Sequence, residues 1–189
     1  MPVLATPLAP EPVRQVTLTT GGPRPAPHPR RAADLLAALL RRGQPLPALT
    51  VCQPYAELLL GPKRVENRTR NTGYRGLVAV HAGKGRDWLR RAPADHLARL
   101  RRPVGELEFG AVVGVAWVRD SVELRAVPAG ERWLTSDPFA SGPWCWLTAW
   151  AVRLDEPVPC DGRLGLWRLD AEAAGRVLAS LIRTNAAAA

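Results

Sequence analysis

Lysine is almost missing from a chain that is otherwise strongly basic: of 26 lysines and arginines in 189 residues, only Lys63 and Lys84 are lysines. Cysteine and histidine are scarce as well, with three of each. Cys52, Cys145 and Cys160 have no Cys-x-x-Cys spacing, their number is odd, and no signal peptide precedes them, which points to reduced, mostly buried thiols. His28, His81 and His96 are scattered and suggest no metal site, so neither a metal nor a cofactor is predicted. A Gly-rich phosphate loop, a Walker sequence, a nucleophile elbow and a carboxylate cluster fit for two metals are all lacking, which excludes the common nucleotide hydrolases and serine esterases. No run approaches the roughly 18 apolar residues of a membrane span. Pro2, Pro7, Pro10 and Pro12 interrupt any apolar leader. A soluble, cytoplasmic protein without a membrane partner is expected.

What is present is an ordinary globular composition, 47% hydrophobic and 23% charged, with a formal net charge of +9. Nucleic acid is the commonest acidic partner for such a balance. Residues 1–29 are rich in Pro and Gly and read as a disordered extension, with 14–19 as a strand-like run. Residues 30–47 read as a helix and linker, 48–184 as the main domain, and 185–189 as a tail that frays.

Within 30–42, Ala33, Leu36, Leu39 and Leu40 make one apolar side and Gly43 marks the end. Strand character is expected over 49–52, 76–81, 110–124, 144–154 and 165–169, with a bulge at Gly114. Helix is expected over 53–60, 87–100 and 171–183, the second with Trp88, Leu89, Leu97 and Leu100 inward. Pro157, Pro159 and Gly162 are read as the connection between the last two strands. Short strands, a few helices and no βαβ alternation predict an α+β fold, a small, partly open β-barrel with helices packed around it.

The densest chemistry lies at residues 61–68, Gly-Pro-Lys-Arg-Val-Glu-Asn-Arg, between an apolar helix-like run and a strand-like one. Gly61-Pro62 predicts a tight turn. In a strand, Arg64, Glu66, Arg68 and Arg70 share one face while Val65 points inward, and Lys63 joins them only if the turn swings it round. On spacing alone this is a solvated strand. A carboxylate among guanidinium groups also fixes their direction, an arrangement suited to gripping a phosphate or a polar base edge. Trp144 and Trp146 share a strand face, Trp146 fitting core packing and Trp144 either core or a base-stacking surface. Trp117 and Trp167 fit the core. His81 reads either as a satisfied strand-end histidine or as part of the site. Glu106 and Glu108 read as surface charges.

The Gly61-x-Lys63-x-x-Glu66-x-Arg68 pattern resembles the signature of the ASCH (ASC-1 homology) family in the PUA-like superfamily. Leu49, Thr50, Gln53, Pro54, Tyr55 and Ala56 before it, Tyr74-Arg75-Gly76 and His81-Ala82 after it, and the later runs at 142–146, 157–159 and 165–167 extend the likeness over roughly residues 48–169. The resemblance implies a PUA-like barrel that contacts single-stranded or modified RNA, or a nucleotide, through a cleft bordered by the motif. The residues it carries into that site are Gln53, Gly61, Lys63, Arg64, Glu66, Asn67, Arg68, Arg70, Arg75, His81, Lys84 and Trp144. Arg64, Arg68, Arg70 and Lys84 are cast as phosphate contacts, and Glu66 and Asn67 as readers of a base edge. The resemblance also brings an alternative, a hydrolase on N4-acylcytidine or on RNA with Lys63 and Glu66 as catalytic residues. Here Glu66 stands where the amidohydrolase branch carries a threonine, so that branch's hydroxyl nucleophile is missing. The family uses no Cys–His pair, and nothing in the sequence near Cys52 activates its thiol.

Overall fold

Six strand segments, with β-branched and aliphatic runs that are buried almost continuously in the central ones, build one curled, half-barrel sheet in the computed structural model, which describes residues 29–187. Its strands are β1 (Pro47–Val51), β2 (Val65–Arg68), β3 (Gly76–Ala82), β4 (Ala111–Glu123), β5 (Trp144–Pro159) and β6 (Leu166–Arg168), in the spatial order β2-β5-β4-β3-β1-β6. β1 and β3 run parallel and the other pairs antiparallel. The flanking helices are α1 (Pro29–Arg41), α2 (Tyr55–Leu59), α3 (Asp87–Arg91), α4 (Ala94–Leu97) and α5 (Ala171–Ala187). The α+β class and the barrel-like sheet with flanking helices are as expected. The leader up to residue 28, with its strand-like run at 14–19, and residues 188–189 lie outside the described residues.

The sheet buries both faces. On one, Ala32, Ala33 and Leu36 of α1 and Ala173, Ala174, Val177 and Leu181 of α5 pack on Leu77, Ala79, Val115 and Val152. Gly43 closes α1 at φ +65, and the Gly43 and Gln44 N–H groups return to the Leu40 and Leu39 carbonyls. On the other face, Ala56 and Leu59 of α2 pack on Leu49, Val51, Val78, Val80 and Trp146. A third cluster, with Leu58, Val65, Leu134 and Phe139, fills the end beside β2.

Val113 and Val115 are two residues apart yet bury on opposite faces, which regular pleating forbids. The expected bulge explains it: the β4–β5 register slips between Val112 and Gly114. A Cβ on Gly114 would lie 2.4 Å from Leu60 Cδ2 and 2.6 Å from the Val152 carbonyl oxygen, so the strand turns the corner where a side chain has no room.

Three expectations need correction. The helix over 87–100 is broken into α3 and α4 at Pro93, with Ala92 held extended (ψ 133) as the residue before a proline requires. Neither piece buries a residue, and Trp88, expected inward, is 56% exposed. Pro157 and Pro159 belong to β5 rather than to the connection after it. At 155–156 the β5 backbone leaves β4, and its N–H groups donate to Thr184 Oγ1 and Ser180 Oγ of α5, so Pro157 falls where the ladder is open, while Pro159 ends the strand opposite Ala111. The terminal helix continues through Ala187, past the fraying expected from residue 185.

Candidate functional site

The turn after α2 sets the site. The Gly61 and Lys63 N–H groups both return to the Leu58 carbonyl, at 3.0 and 2.9 Å, and this tight turn brings Lys63 round to the face of Glu66. β2 then runs along the sheet edge, paired only with β5, with Glu66 opposite Trp146 and Arg68 opposite Trp144. Lys63 Nζ donates to Glu66 Oε2, while Arg68 Nη2 forms an ion pair with Glu66 Oε1 at 3.0 Å. The same Nη2 donates to the Thr50 carbonyl of β1 at 2.8 Å. β1 lies four places from β2 in the sheet, so this contact crosses the open side of the curl.

Exposure is graded along the triad, with side chains 2% exposed for Lys63, 10% for Glu66 and 22% for Arg68. The Lys63 ammonium lies 5.5 Å from the centre of the Tyr55 ring, and the Arg68 guanidinium 5.8 Å from that of Trp146. Arg68 Nε is buried without a hydrogen-bond partner. Lys63 and Glu66 therefore form a covered base that aims Arg68 toward the rim.

The remaining candidates divide. Trp144 is half-buried on the triad's face, in the position opposite Arg68. Arg70 is exposed, and its carbonyl accepts the Trp146 indole N–H at 3.0 Å. Arg64 does not continue the alternation, because it precedes β2; its guanidinium stacks 4.4 Å from Trp133. Asn67 faces the other way and organises a loop, donating to the Phe139 carbonyl at 2.7 Å and accepting the Ser141 and Gly142 N–H groups at 3.0 Å each. Gln53 is fully buried between the Glu57 N–H and the Glu108 carbonyl. Gly61 shapes the turn. Arg75 pairs with Asp120 at 2.6 Å, and Lys84 with Asp161 at 2.6 Å, both near the surface.

His81 lies on the opposite face from Glu66, beside Trp167, with Nε2 against the Cys160 carbonyl at 3.0 Å and Nδ1 unpartnered. Burial pushes its imidazole below the ordinary value, against a raising hydrogen bond to that carbonyl. Burial pushes all three thiols up, and for Cys52 the Glu66 charge adds to this while Arg68 opposes it, so Cys52 is not an activated nucleophile. Only Cys145 is fully buried; Cys52 and Cys160 are half-buried, short of the expected burial.

Two carboxylates missed by the sequence reading organise the surroundings. Glu108, expected as a surface charge, takes Arg153 and Arg102 in paired hydrogen bonds of 2.7–3.0 Å, and Arg153 continues to the buried Glu57. Burial raises the Glu108 carboxyl, but the two guanidinium groups outweigh it and hold it below the usual value. Glu131, buried, takes Arg119 through two bonds of 2.7 Å and the Trp133 indole at 2.6 Å, which fixes the ring under Arg64. Separations of 45 and 96 residues between Arg153 and its partners leave no local signal to read.

Among the described residues there is no group of three or more metal-ligating side chains, and no helix is long and apolar enough to cross a membrane. No family model and no curated protein matches the chain. Fold and site together define an α+β half-barrel whose open side is bridged by a Lys–Glu–Arg relay.

Proposed function

We propose that the chain is an ASCH-type, PUA-like protein that binds single-stranded or modified RNA, or a nucleotide, at the open side of the half-barrel. The observation that carries this reading is the graded triad: a covered Lys63–Glu66 pair directs the partly exposed Arg68 guanidinium over Trp146, with Trp144 alongside. Arg68 contacts a phosphate or a base edge, and Trp144 offers a flat surface for a splayed base, the usual mode for single-stranded RNA. Arg70, exposed on the same run, adds a phosphate contact, and the net charge of +9 draws the polyanion in.

Polarisation of end-labelled single-stranded RNA across a salt series tests it. Affinity falls steeply with salt, with a slope of about 0.7 per phosphate contacted. Arg68→Ala weakens binding and lowers the slope while the circular dichroism stays native. Absence of binding at low salt, or binding indifferent to Arg68→Ala, would sink the reading.

Direct contact between Lys63 and Glu66 favours one alternative, a hydrolase in which Glu66 serves as general base and Lys63 stabilises an oxyanion. Product analysis of the same incubations separates the two. Shortened RNA, or free cytidine from N4-acetylcytidine, that disappears in a folded Lys63→Met variant would favour the enzyme.

A further inference from the structure

Away from the triad, beside the core made with α1 and α5, a cleft of about 470 Å³ opens between β6, the 159–163 segment and the start of α5. Its three arginines outnumber its two carboxylates. Of its two carboxylates, Asp161 holds Lys84 at 2.6 Å, and Asp170 accepts the Ala173 N–H at 2.7 Å in the first turn of α5. Arg163 and Arg168 are exposed and have no carboxylate partner among the described residues. Arg176 donates to the Pro159 carbonyl at 3.1 Å, which holds its guanidinium at the cleft.

The cleft also contains a fixed aromatic ring. The half-buried Trp167 donates its indole N–H to Thr50 Oγ1 at 3.1 Å and sits against His81 at 5.8 Å between ring centres. Gly162 locks the rim: a Cβ there would lie 2.6 Å from His81 Nδ1 and 2.8 Å from Thr50 Oγ1, so the backbone of the loop rests directly on these side chains. That contact seats its neighbours Asp161 and Arg163. The volume falls in the range of small-molecule sites, roughly 300–1,000 Å³. Guanidinium groups match phosphate oxygens, and an immobilised indole matches a flat ring.

We propose that this cleft binds a nucleotide, with the phosphate on Arg163, Arg168 and Arg176 and the base against Trp167, as a second site distinct from the one at Arg68. Two sources carry that chemistry, a free mononucleotide and the 5′-phosphorylated end of an RNA strand.

Calorimetric titration of the full chain with AMP, inorganic phosphate, adenosine and a 5′-phosphorylated single-stranded RNA tests the assignment. AMP binds saturably and more tightly than phosphate or adenosine. Arg163→Ala and Arg168→Ala each weaken it about tenfold, the loss expected for one charge-assisted contact. Trp167→Leu removes the preference for AMP over phosphate; should the lost bond to Thr50 unfold that variant, the two exposed arginines carry the test. RNA that binds more tightly than AMP and loses that margin in Arg168→Ala assigns the cleft to a strand end, and equal affinities assign it to the free nucleotide. Absence of AMP binding, binding unchanged in both arginine variants, or binding lost instead in Arg68→Ala would overturn the proposal; the first two leave the RNA test of the motif site untouched, and the last moves the nucleotide to that site.

Discussion

Replacing Glu66 by Gln keeps the shape of the triad and removes the carboxylate that two cations share. The consequences for the two cations differ. Arg68, with its side chain 22% exposed, can turn part of its charge to water, whereas Lys63, at 2%, cannot. The penalty therefore falls mainly on the buried Lys63 ammonium, which loses the Glu66 charge, a loss of about 3–5 kcal/mol. Against a typical total of about 5–15 kcal/mol this is a large fraction of the stability. It corresponds to a melting temperature lowered by about 6–20 °C in a domain of this size. Lys63→Met/Glu66→Gln removes both charges at similar volume and recovers most of the loss, since a buried ion pair exchanged for apolar and neutral groups is often close to neutral. Urea unfolding of the wild type, both single variants and the double variant, followed by tryptophan fluorescence at constant m, supplies the whole cycle. A Glu66→Gln loss below about 1 kcal/mol, or a double variant no more stable than Glu66→Gln, would refute the argument that Lys63 depends on this carboxylate. RNA binding by the folded double variant then separates roles: retained affinity makes the triad a brace across the curl, and lost affinity makes it the site.

Other perturbations follow from the same contacts. Gly114→Ala should cost about 1–3 kcal/mol, because Leu60 can withdraw from a new Cβ but the Val152 carbonyl, 2.6 Å away, is backbone; thermal denaturation checks it. His81 is held below its ordinary value by burial, so the unfolded chain binds more protons between the folded and unfolded values. Its contribution is complete above about pH 6.5 and is lost as the pH falls below that, a dependence that flattens in His81→Gln when urea midpoints are compared across the range. Glu108 is held low by Arg153 and Arg102 in spite of burial, so its contribution is present above the ordinary carboxylate range and lost as pH falls toward the folded value. Acid titration of Glu108→Gln beside the wild type should show that this portion of the acid limb has gone.

Much of the framework was legible in local sequence. The 30–42 helix was readable from Ala33, Leu36, Leu39 and Leu40 with a glycine after it, because helical period and a left-handed cap are local properties. The Gly114 bulge was readable because a glycine in a β-branched run has few other uses. The 87–100 helix failed because its apolar pattern outweighed Pro93, although a proline there removes the N–H and pushes the preceding residue to extended backbone. Trp88 was misplaced with it, since four- and five-residue helices offer no continuous buried stripe.

The sequence by itself determined the order of strands and helices, the turn at Gly61-Pro62 and the sharing of one face by Glu66 and Arg68, all set by interactions within a few residues. Only the tertiary structure decided that Lys63 is covered by Tyr55, that Arg68 reaches across the curl to Thr50, that His81 points to the opposite face with Trp167, and that Glu108 gathers Arg102 and Arg153. These outcomes depend on how far a twisted sheet curls and on where a bulge inverts the pleat. A one-residue slip moves a side chain to the other face, and pairing partners dozens of residues apart leave no mark on the local sequence.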